Sequence, residues 1–196
     1  MSVCTQSPSS KLIRTFVCID IPEKQREAIS GWMSECRRAA DSNLRWVQPR
    51  TIHVTLKFCG ERTIETVNAL KDELAKINKP ETLTISAGGI GGFPNLKKPS
   101  VIWTRVLGDL DSLQKIQKEV EFAANRAGIP KEPRPYTPHL TLARNSSCSP
   151  LPDKLIGAMT ERELKLEPWR VSEIILMKSE LLPSGPRYTP LALFKI

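Results

Sequence analysis

Two four-residue segments of the sequence follow one pattern, and each contains one of the two histidines in the chain. They are HVTL at residues 53–56 and HLTL at residues 139–142, and both place Thr two residues after His. Side chains alternate between the two faces of a β-strand. Each segment therefore predicts a strand with His and Thr on one face and apolar side chains on the other.

The separation between these H-x-T motifs recurs elsewhere in the chain. The motifs start 86 residues apart, and three other pairs of predicted elements have similar offsets: helices near residues 22 and 111, strands near 83 and 171, and strands near 101 and 188. A repeat of nearly constant length indicates duplicated structure. We therefore expect two similar lobes, each built of strands and two helices.

Length and composition bound the class of protein. With 196 residues, of which 40% are hydrophobic and 26% charged, the chain is large enough for one substantial core. We expect a flexible tail over residues 1–13 and a single two-lobed domain over residues 14–196, with repeat halves of about 14–100 and 101–196. No apolar run approaches the roughly 18 to 20 residues that cross a bilayer, and residues 1–10 lack the features of an export signal. We expect a cytoplasmic protein without a membrane partner.

Charge and cysteine usage narrow the chemistry further. The net charge is +8, which favours a phosphate-bearing partner. The five cysteines lie far apart and form no C-x-x-C pair, so we expect reduced thiols rather than a zinc or redox site.

Two histidines that face each other across a cleft can remove a proton from one oxygen and give a proton to another. An unperturbed imidazole has a pKa of about 6.5, so one ring can be neutral and the other charged near neutral pH. Hydrolysis of a phosphodiester needs such a base and acid. Thr55 and Thr141, on the same faces as the histidines, are suited to bind the non-bridging phosphate oxygens.

Other catalytic classes fit the sequence less well. Two histidines without a neighbouring carboxylate fall short of the three protein ligands of a typical catalytic zinc site. There is no G-x-S-x-G motif, and the glycines between residues 88 and 92 are not followed by the Lys-Ser/Thr of a phosphate-binding loop. We expect neither a metal nor a cofactor.

Several segments together resemble the 2H phosphoesterases, in particular the RNA 2′,3′-cyclic phosphodiesterase group also called 2′-5′ RNA ligases. The resemblance spans about residues 14–196 and rests on RTFVCIDIP, LRWVQPRTIHVTLKFCGE, GGFPNLKKPSVIW, RPYTPHLTLAR and YTPLALFKI. It implies a bilobal α+β fold with antiparallel sheets that flank a central cleft. It also implies metal-independent opening of a terminal RNA 2′,3′-cyclic phosphate to a 2′-phosphate.

The resemblance also implies roles for individual residues. His53 would be the proton donor to the 3′ leaving oxygen, His139 the proton acceptor for water, and Thr55 and Thr141 the phosphate-binding residues. The two motifs are too similar to assign acid and base by themselves.

Five further residues are candidate substrate contacts. Lys57 is in phase with His53 and Thr55 on the strand. Arg144 is five residues after His139 and points to the opposite face unless the strand bends, although the family frequently has Arg there. Aromatic rings near the site strands can stack on a nucleobase, and the candidates are Phe16, Trp46 and Tyr136.

Two other functions stay open from the sequence. One is a 2′-5′ phosphodiesterase or ligase, and the other is a nucleotide-binding or RNA-binding module without turnover. In each case the expected partners are RNA ends or cyclic nucleotides, and we expect a monomer because one chain supplies both histidines.

Overall fold

The computed structural model describes residues 12–40 and 42–196. The helices are α1 (Glu23–Ala39), α2 (Ile64–Ala75), α3 (Leu110–Arg126) and α4 (Asp153–Glu161), with a 3₁₀ turn at Pro49–Thr51. The strands are β1 (Ile13–Asp20), β2 (Arg45–Trp46), β3 (His53–Arg62), β4 (Thr84–Phe93), β5 (Val101–Gly108), β6 (His139–Arg144), β7 (Lys165–Arg170), β8 (Glu173–Leu182) and β9 (Gly185–Lys195). None of the helices in the described ranges is long and apolar enough to span a membrane.

The strands form one antiparallel sheet that divides into two groups of four. Its order is β7-β4-β5-β6-β3-β1-β8-β9, with the short β2 paired to β6. We call β3, β1, β8 and β9 with α2 and α3 the His53 lobe, and β6, β5, β4 and β7 with α1 and α4 the His139 lobe. The predicted α+β fold with two lobes is confirmed.

The two lobes do not coincide with the two halves of the sequence. β4 comes from the first half but lies in the His139 lobe, whereas β8 comes from the second half and lies in the His53 lobe. The helices are exchanged in the same way, since α1 packs against α4 and α2 against α3. Each lobe therefore contains strands and a helix from both halves of the sequence, and the single domain over residues 14–196 stays a prediction. Of the predicted tail, residues 1–11 lie outside the described residues, and Ile13 already belongs to β1.

The helices cover one face of the sheet and bury the main core there. The apolar stripe of α1 is buried at Ile29, Trp32, Met33 and Cys36. In α3 the buried positions recur at helical spacing, and the Asp109 side chain accepts a hydrogen bond from the Ser112 backbone N–H at the helix start. The other face of the sheet carries both H-x-T motifs.

Two strands of the sheet are hard to recognise from the sequence. The segment LRWVQ forms only the two-residue β2, and the unpredicted edge strand β7, KLEPWR, pairs with β4. A strand that contains Pro is rarely recognised from sequence, because Pro disrupts the hydrogen-bonded ladder and is tolerated mainly at sheet edges.

Each H-x-T motif is followed by a β-bulge. In β3, Thr55 pairs with Cys18 and Lys57 pairs with the adjacent Val17, so one residue of β3 is inserted between them. In β6, Thr141 pairs with Trp103 and Ala143 with the adjacent Ile102, so the same insertion occurs. A bulge reverses the alternation of side chains beyond it. The inserted residues are Leu56 and Leu142, which are 86 residues apart like the histidines.

The bulge in β3 overturns the prediction for Lys57. Its register partner Val17 faces the main core, so Lys57 points to the helix side and away from His53. There its ammonium group donates to Glu121 Oε1 at 2.5 Å and to the Pro130 carbonyl at 2.8 Å. The Lys57 side chain is 3% exposed. Lys57 is thus a buried structural cation, and strand parity failed because it assumed an unbroken alternation.

Truncation of the anion should destabilise the protein more than removal of both charges. Glu121→Ala leaves the Lys57 ammonium group buried without its anion, and loss of one partner of a buried pair costs about 3 to 5 kcal/mol. The matched double variant Lys57→Met/Glu121→Leu removes both charges and should be within about 1 to 2 kcal/mol of the parent. Urea unfolding followed by circular dichroism measures both free energies. Equal losses in the two variants would contradict the buried-pair interpretation.

Candidate active site

One register pair between β3 and β6 brings the two H-x-T motifs together. Val54 pairs with Leu140, and both side chains are fully buried on the helix side of the sheet. In an antiparallel pair, the neighbouring positions place His53 opposite Thr141 and Thr55 opposite His139. The four polar side chains lie on the other face and are half-buried. The structure thus brings together the four residues predicted to carry the chemistry, with the histidines on a diagonal of about 7 to 8 Å between Cα atoms.

Both imidazoles are held by the same backbone interaction. His53 Nδ1 is 2.8 Å from the Thr51 carbonyl oxygen, and His139 Nδ1 is 2.7 Å from the Thr137 carbonyl oxygen. A carbonyl only accepts hydrogen bonds, so Nδ1 carries the proton in both rings. In the neutral state, Nε2 therefore presents a lone pair, and in the protonated state it presents a proton.

Aromatic rings fix the orientation of the His53 imidazole. The Phe16 ring stacks on it with centroids 4.7 Å apart and an interplanar angle of 25°, and Tyr188 meets it edge-on at 5.5 Å. Tyr188 also contacts Phe16 edge-on at 4.9 Å. These rings belong to a small cluster with Cys18, Ile175 and Met177, separate from the main core.

A different pair of rings surrounds His139. Phe93 meets it edge-on at 5.3 Å between centroids, and Trp103 is tilted against it at 6.2 Å. Trp103 lies directly over Gly91, where a Cβ atom would come within 2.3 Å of the indole. The absence of a side chain at Gly91 is therefore required for this position of Trp103.

The two imidazoles differ in their electrostatic surroundings. Burial lowers the pKa of His53 to about 4, and it outweighs the opposite effects of the bond to Thr51 and of the Asp20 carboxylate. Burial also lowers the pKa of His139, and the Arg144 guanidinium lowers that pKa further. Each ring has a neighbouring cation that disfavours its charged form, Arg26 at His53 and Arg144 at His139, and only His53 has a carboxylate, Asp20, that favours it.

The bulge in β6 places Arg144 on the site face. Beyond Leu142 the alternation is reversed, so Ala143 is buried in the core and Arg144, paired with Val101, shares the face of His139. Burial raises the pKa of Tyr188 and the Arg144 charge opposes that rise, so the guanidinium acts on the pKa of a residue in each lobe, Tyr188 and His139. The sequence interpretation allowed for this position only if the strand bends, and the bulge provides that bend. Contact of Arg144 with the substrate stays a prediction.

The three aromatic predictions have different outcomes. Trp46 is on the helix side, where it meets Trp32 edge-on at 6.2 Å between centroids and lies under the Arg37 guanidinium. Tyr136 also packs against the main core, and its hydroxyl is buried. The prediction that these two rings stack on a base is wrong, because both contribute to the core. Phe16 is at the site, but it is only 3% exposed and stacks on His53, so it orients an imidazole and has no free face for a base.

Sequence reasoning missed three rings of the site, and one of them was detectable. Trp103 is 87 residues after Phe16, so the repeat offset alone relates the two rings. Phe93 and Tyr188 lie on β4 and β9, which are distant in sequence from the motif that each one approaches. Only the sheet topology brings them to the histidines.

Two cavities in the described part of the chain lie away from the histidines. One of about 290 Å³ lies between residues 42–44 and the loop 145–152, and one of about 700 Å³ lies between α1 and α4. Over residues 12–40 and 42–196, no group of three or more His, Cys, Asp or Glu side chains is arranged to hold a metal ion.

The chain belongs to a known family. The family model for LigT-like phosphoesterases matches residues 19–103 and 109–188. The fold and the paired motifs thus define a LigT-like phosphoesterase, a member of the 2H phosphoesterases.

Individual relatives support this assignment. A protein named RNA 2′,3′-cyclic phosphodiesterase from Methanothermobacter thermautotrophicus is 32% identical over 191 residues, which covers 94% of this chain and 99% of the relative. A protein of the same name from Thermus thermophilus is also 32% identical, over 94% of this chain and 90% of its own length.

Solved structures with a similar fold support the same family assignment. E. coli LigT complexed with 3′-AMP is 26% identical and superposes with a TM-score of 0.75, covering 95% of this chain and 99% of LigT. The protein TT0787 of Thermus thermophilus is 27% identical with a TM-score of 0.73, over 93% of this chain and 97% of that protein.

Proposed function

We propose that this protein hydrolyses RNA 2′,3′-cyclic phosphate ends to 2′-phosphomonoesters without a metal ion, with His53 and His139 as acid and base. The observation that carries the proposal is the matched bonding of the two rings: each Nδ1 donates to a backbone carbonyl, so each Nε2 is available on the same face of the sheet. The names of the relatives supply the substrate class.

The chemical step uses each ring once. Neutral His139 takes a proton from water through Nε2 while the water oxygen bonds to phosphorus. The bond between phosphorus and the 3′ oxygen breaks, and protonated His53 gives its Nε2 proton to that oxygen. The product is a 2′-phosphomonoester with a free 3′ hydroxyl, and proton exchange with solvent restores both rings.

The separation of the rings is compatible with one phosphoryl group between them. Hydrogen bonds of about 2.8 Å from each Nε2 to oxygens on opposite sides of phosphorus would bridge the diagonal between the strands. Thr55 and Thr141 lie beside the rings on the same face and would donate their hydroxyl protons to the non-bridging oxygens. Arg144 would add positive charge where negative charge is carried in the transition state.

The assignment of acid and base rests on the family resemblance, and the surroundings of the rings differ in that only His53 has a neighbouring carboxylate. Burial is the largest effect and lowers both pKa values. Arg26 lowers the pKa of His53 further and Arg144 that of His139, whereas the Asp20 carboxylate raises the pKa of His53. Binding of the anionic substrate supplies negative charge next to both rings and raises both pKa values. His53 then holds a proton in the complex more readily than in the free protein.

Removal of either imidazole should reduce hydrolysis of a 2′,3′-cyclic nucleotide by about 10²- to 10⁴-fold, the usual contribution of one acid or base. The parent protein should keep its full rate in excess EDTA. Chromatography of the products measures both the rate and the position of the phosphate. The double variant Lys57→Met/Glu121→Leu is the control, since both residues lie on the other face of the sheet. Full activity in His53→Ala or His139→Ala, or loss of activity in EDTA, would contradict the mechanism. If the protein cleaves or joins only 2′-5′ linkages, it is a 2′-5′ phosphodiesterase or ligase instead. If it binds the nucleotide without turnover, it is a binding module instead.

The order of acid and base has a separate test. In a cyclic substrate with sulfur in place of the 3′ bridging oxygen, the leaving thiolate needs no proton, because a thiol has a pKa of only about 8.5. His53→Ala should lose activity on the oxygen substrate and recover to within about tenfold of the parent on the sulfur substrate. His139→Ala should be impaired on both. Recovery of His139→Ala instead would reverse the assignment.

A further inference from the structure

We propose that the RNA strand attached to the reacting end runs across the His139 lobe, with its next phosphates bound by Arg105 and Lys165. The proposal rests on the proposed function for the position of the RNA end. It adds a direction for the strand and a preference for oligonucleotides over mononucleotides.

A row of register partners leads from His139 to the edge of the sheet. His139 pairs with Arg105, Arg105 with Gly88, and Gly88 with Lys165 on the edge strand β7. Paired residues point to the same face of a sheet, so Arg105 and Lys165 share the face of His139. Neighbouring strands are about 4.8 Å apart, which places Lys165 about 14 Å from His139 across the sheet. Gly88 lies between the two cations and is itself buried, with the Leu107 side chain and the Leu164 carbonyl oxygen beside it.

The charge of this row is not compensated. Arg105 and Lys165 are exposed, and neither forms an ion pair with a carboxylate within residues 12–40 and 42–196. Over their described ranges, β4, β5 and β6 contain no Asp or Glu. A polyanion on this face therefore meets no carboxylate on β4, β5 or β6, and β7 carries one, Glu167, two residues after Lys165.

The corresponding row of the His53 lobe has the opposite character. His53 pairs with Asp20, and Glu173 pairs with Lys195 on the edge strand β9. The pairing of β1 with β8 aligns Asp20 with Glu173, because Cys18 pairs with Ile175. Two carboxylates thus stand where the His139 row has Arg105 and Gly88. Asp20 is paired with Arg26, so this row offers no free cation beside its histidine. The His53 row thus has two carboxylates balanced by Arg26 and Lys195, whereas the His139 row has two cations, so an RNA strand is attracted more strongly to the His139 row.

The test is the affinity of a single-stranded pentaribonucleotide with a 3′-terminal 2′-phosphate and a 5′-fluorescein, measured by anisotropy between about 50 and 200 mM salt. Each phosphate contact in a single strand contributes about 0.7 to the slope of log affinity against log salt. Arg105→Ala and Lys165→Ala should each weaken binding and reduce that slope by about 0.7. Lys165→Arg should keep both, and the matched control Lys195→Ala, on the opposite edge strand, should leave both unchanged.

A second readout separates this proposal from the proposed function. Lys165→Ala should hydrolyse a 2′,3′-cyclic mononucleotide at the parent rate, since that substrate does not reach β7. Unchanged pentanucleotide affinity and slope in Lys165→Ala, or an equal loss in Lys195→Ala, would overturn the strand path even if the mononucleotide is hydrolysed. Absence of mononucleotide hydrolysis in the parent, with binding still dependent on Lys165, would overturn the proposed function and leave the path supported.

Discussion

The site depends on the register between β3 and β6, the central strands of the two lobes. Val54 and Leu140 form the only direct pair of these strands within the described residues, and both are fully buried. A slip of one residue would exchange the faces of a strand, moving one apolar residue to the open face and an imidazole into the core. Exposure of a buried Val or Leu costs about 1.5 to 3 kcal/mol, and burial of a charged imidazole adds to this. The apolar residues of each H-x-T motif thus hold its polar residues in place.

The sequence predicted the elements that carry the histidines and the repeat that relates them, because these depend on local patterns. The faces predicted from side-chain alternation in β3 and β6 were correct as far as Thr55 and Thr141. The prediction failed at Lys57 because a bulge follows Thr55. A bulge depends on the pairing with a neighbouring strand, and the sequence of one strand does not show that pairing. The same bulge in β6 had the opposite result for Arg144, which it turned towards the site.

The remaining misses have a common physical origin. The aromatic rings at the histidines come from strands that the topology brings together across the exchange between the two halves of the chain. Proximity in sequence therefore selected Trp46 and Tyr136, which pack into the core, and overlooked Phe93 and Tyr188. The repeat offset is the better guide, since it relates Trp103 to Phe16.

Duplication produced two similar motifs in unlike surroundings. The same bond to a backbone carbonyl holds both rings, but an acidic residue is paired beside His53 and a basic residue beside His139. A reaction that needs one acid and one base benefits from that difference. The difference in charge continues along the sheet, from His139 towards β7 on one side and from His53 towards β9 on the other. We propose that an attached RNA strand follows the first of these two directions.

Imidazole ¹⁵N NMR tests most directly whether both histidines carry the proton on Nδ1 and present a lone pair at Nε2. The chain has two histidines, so the spectrum contains two imidazole spin systems. The account predicts that at about pH 7 both rings of the free protein are neutral with the proton on Nδ1, and that both titrate below about pH 6.5, since burial lowers both pKa values. A proton on Nε2 in either neutral ring, or a pKa above about 6.5 in the free protein, would contradict it.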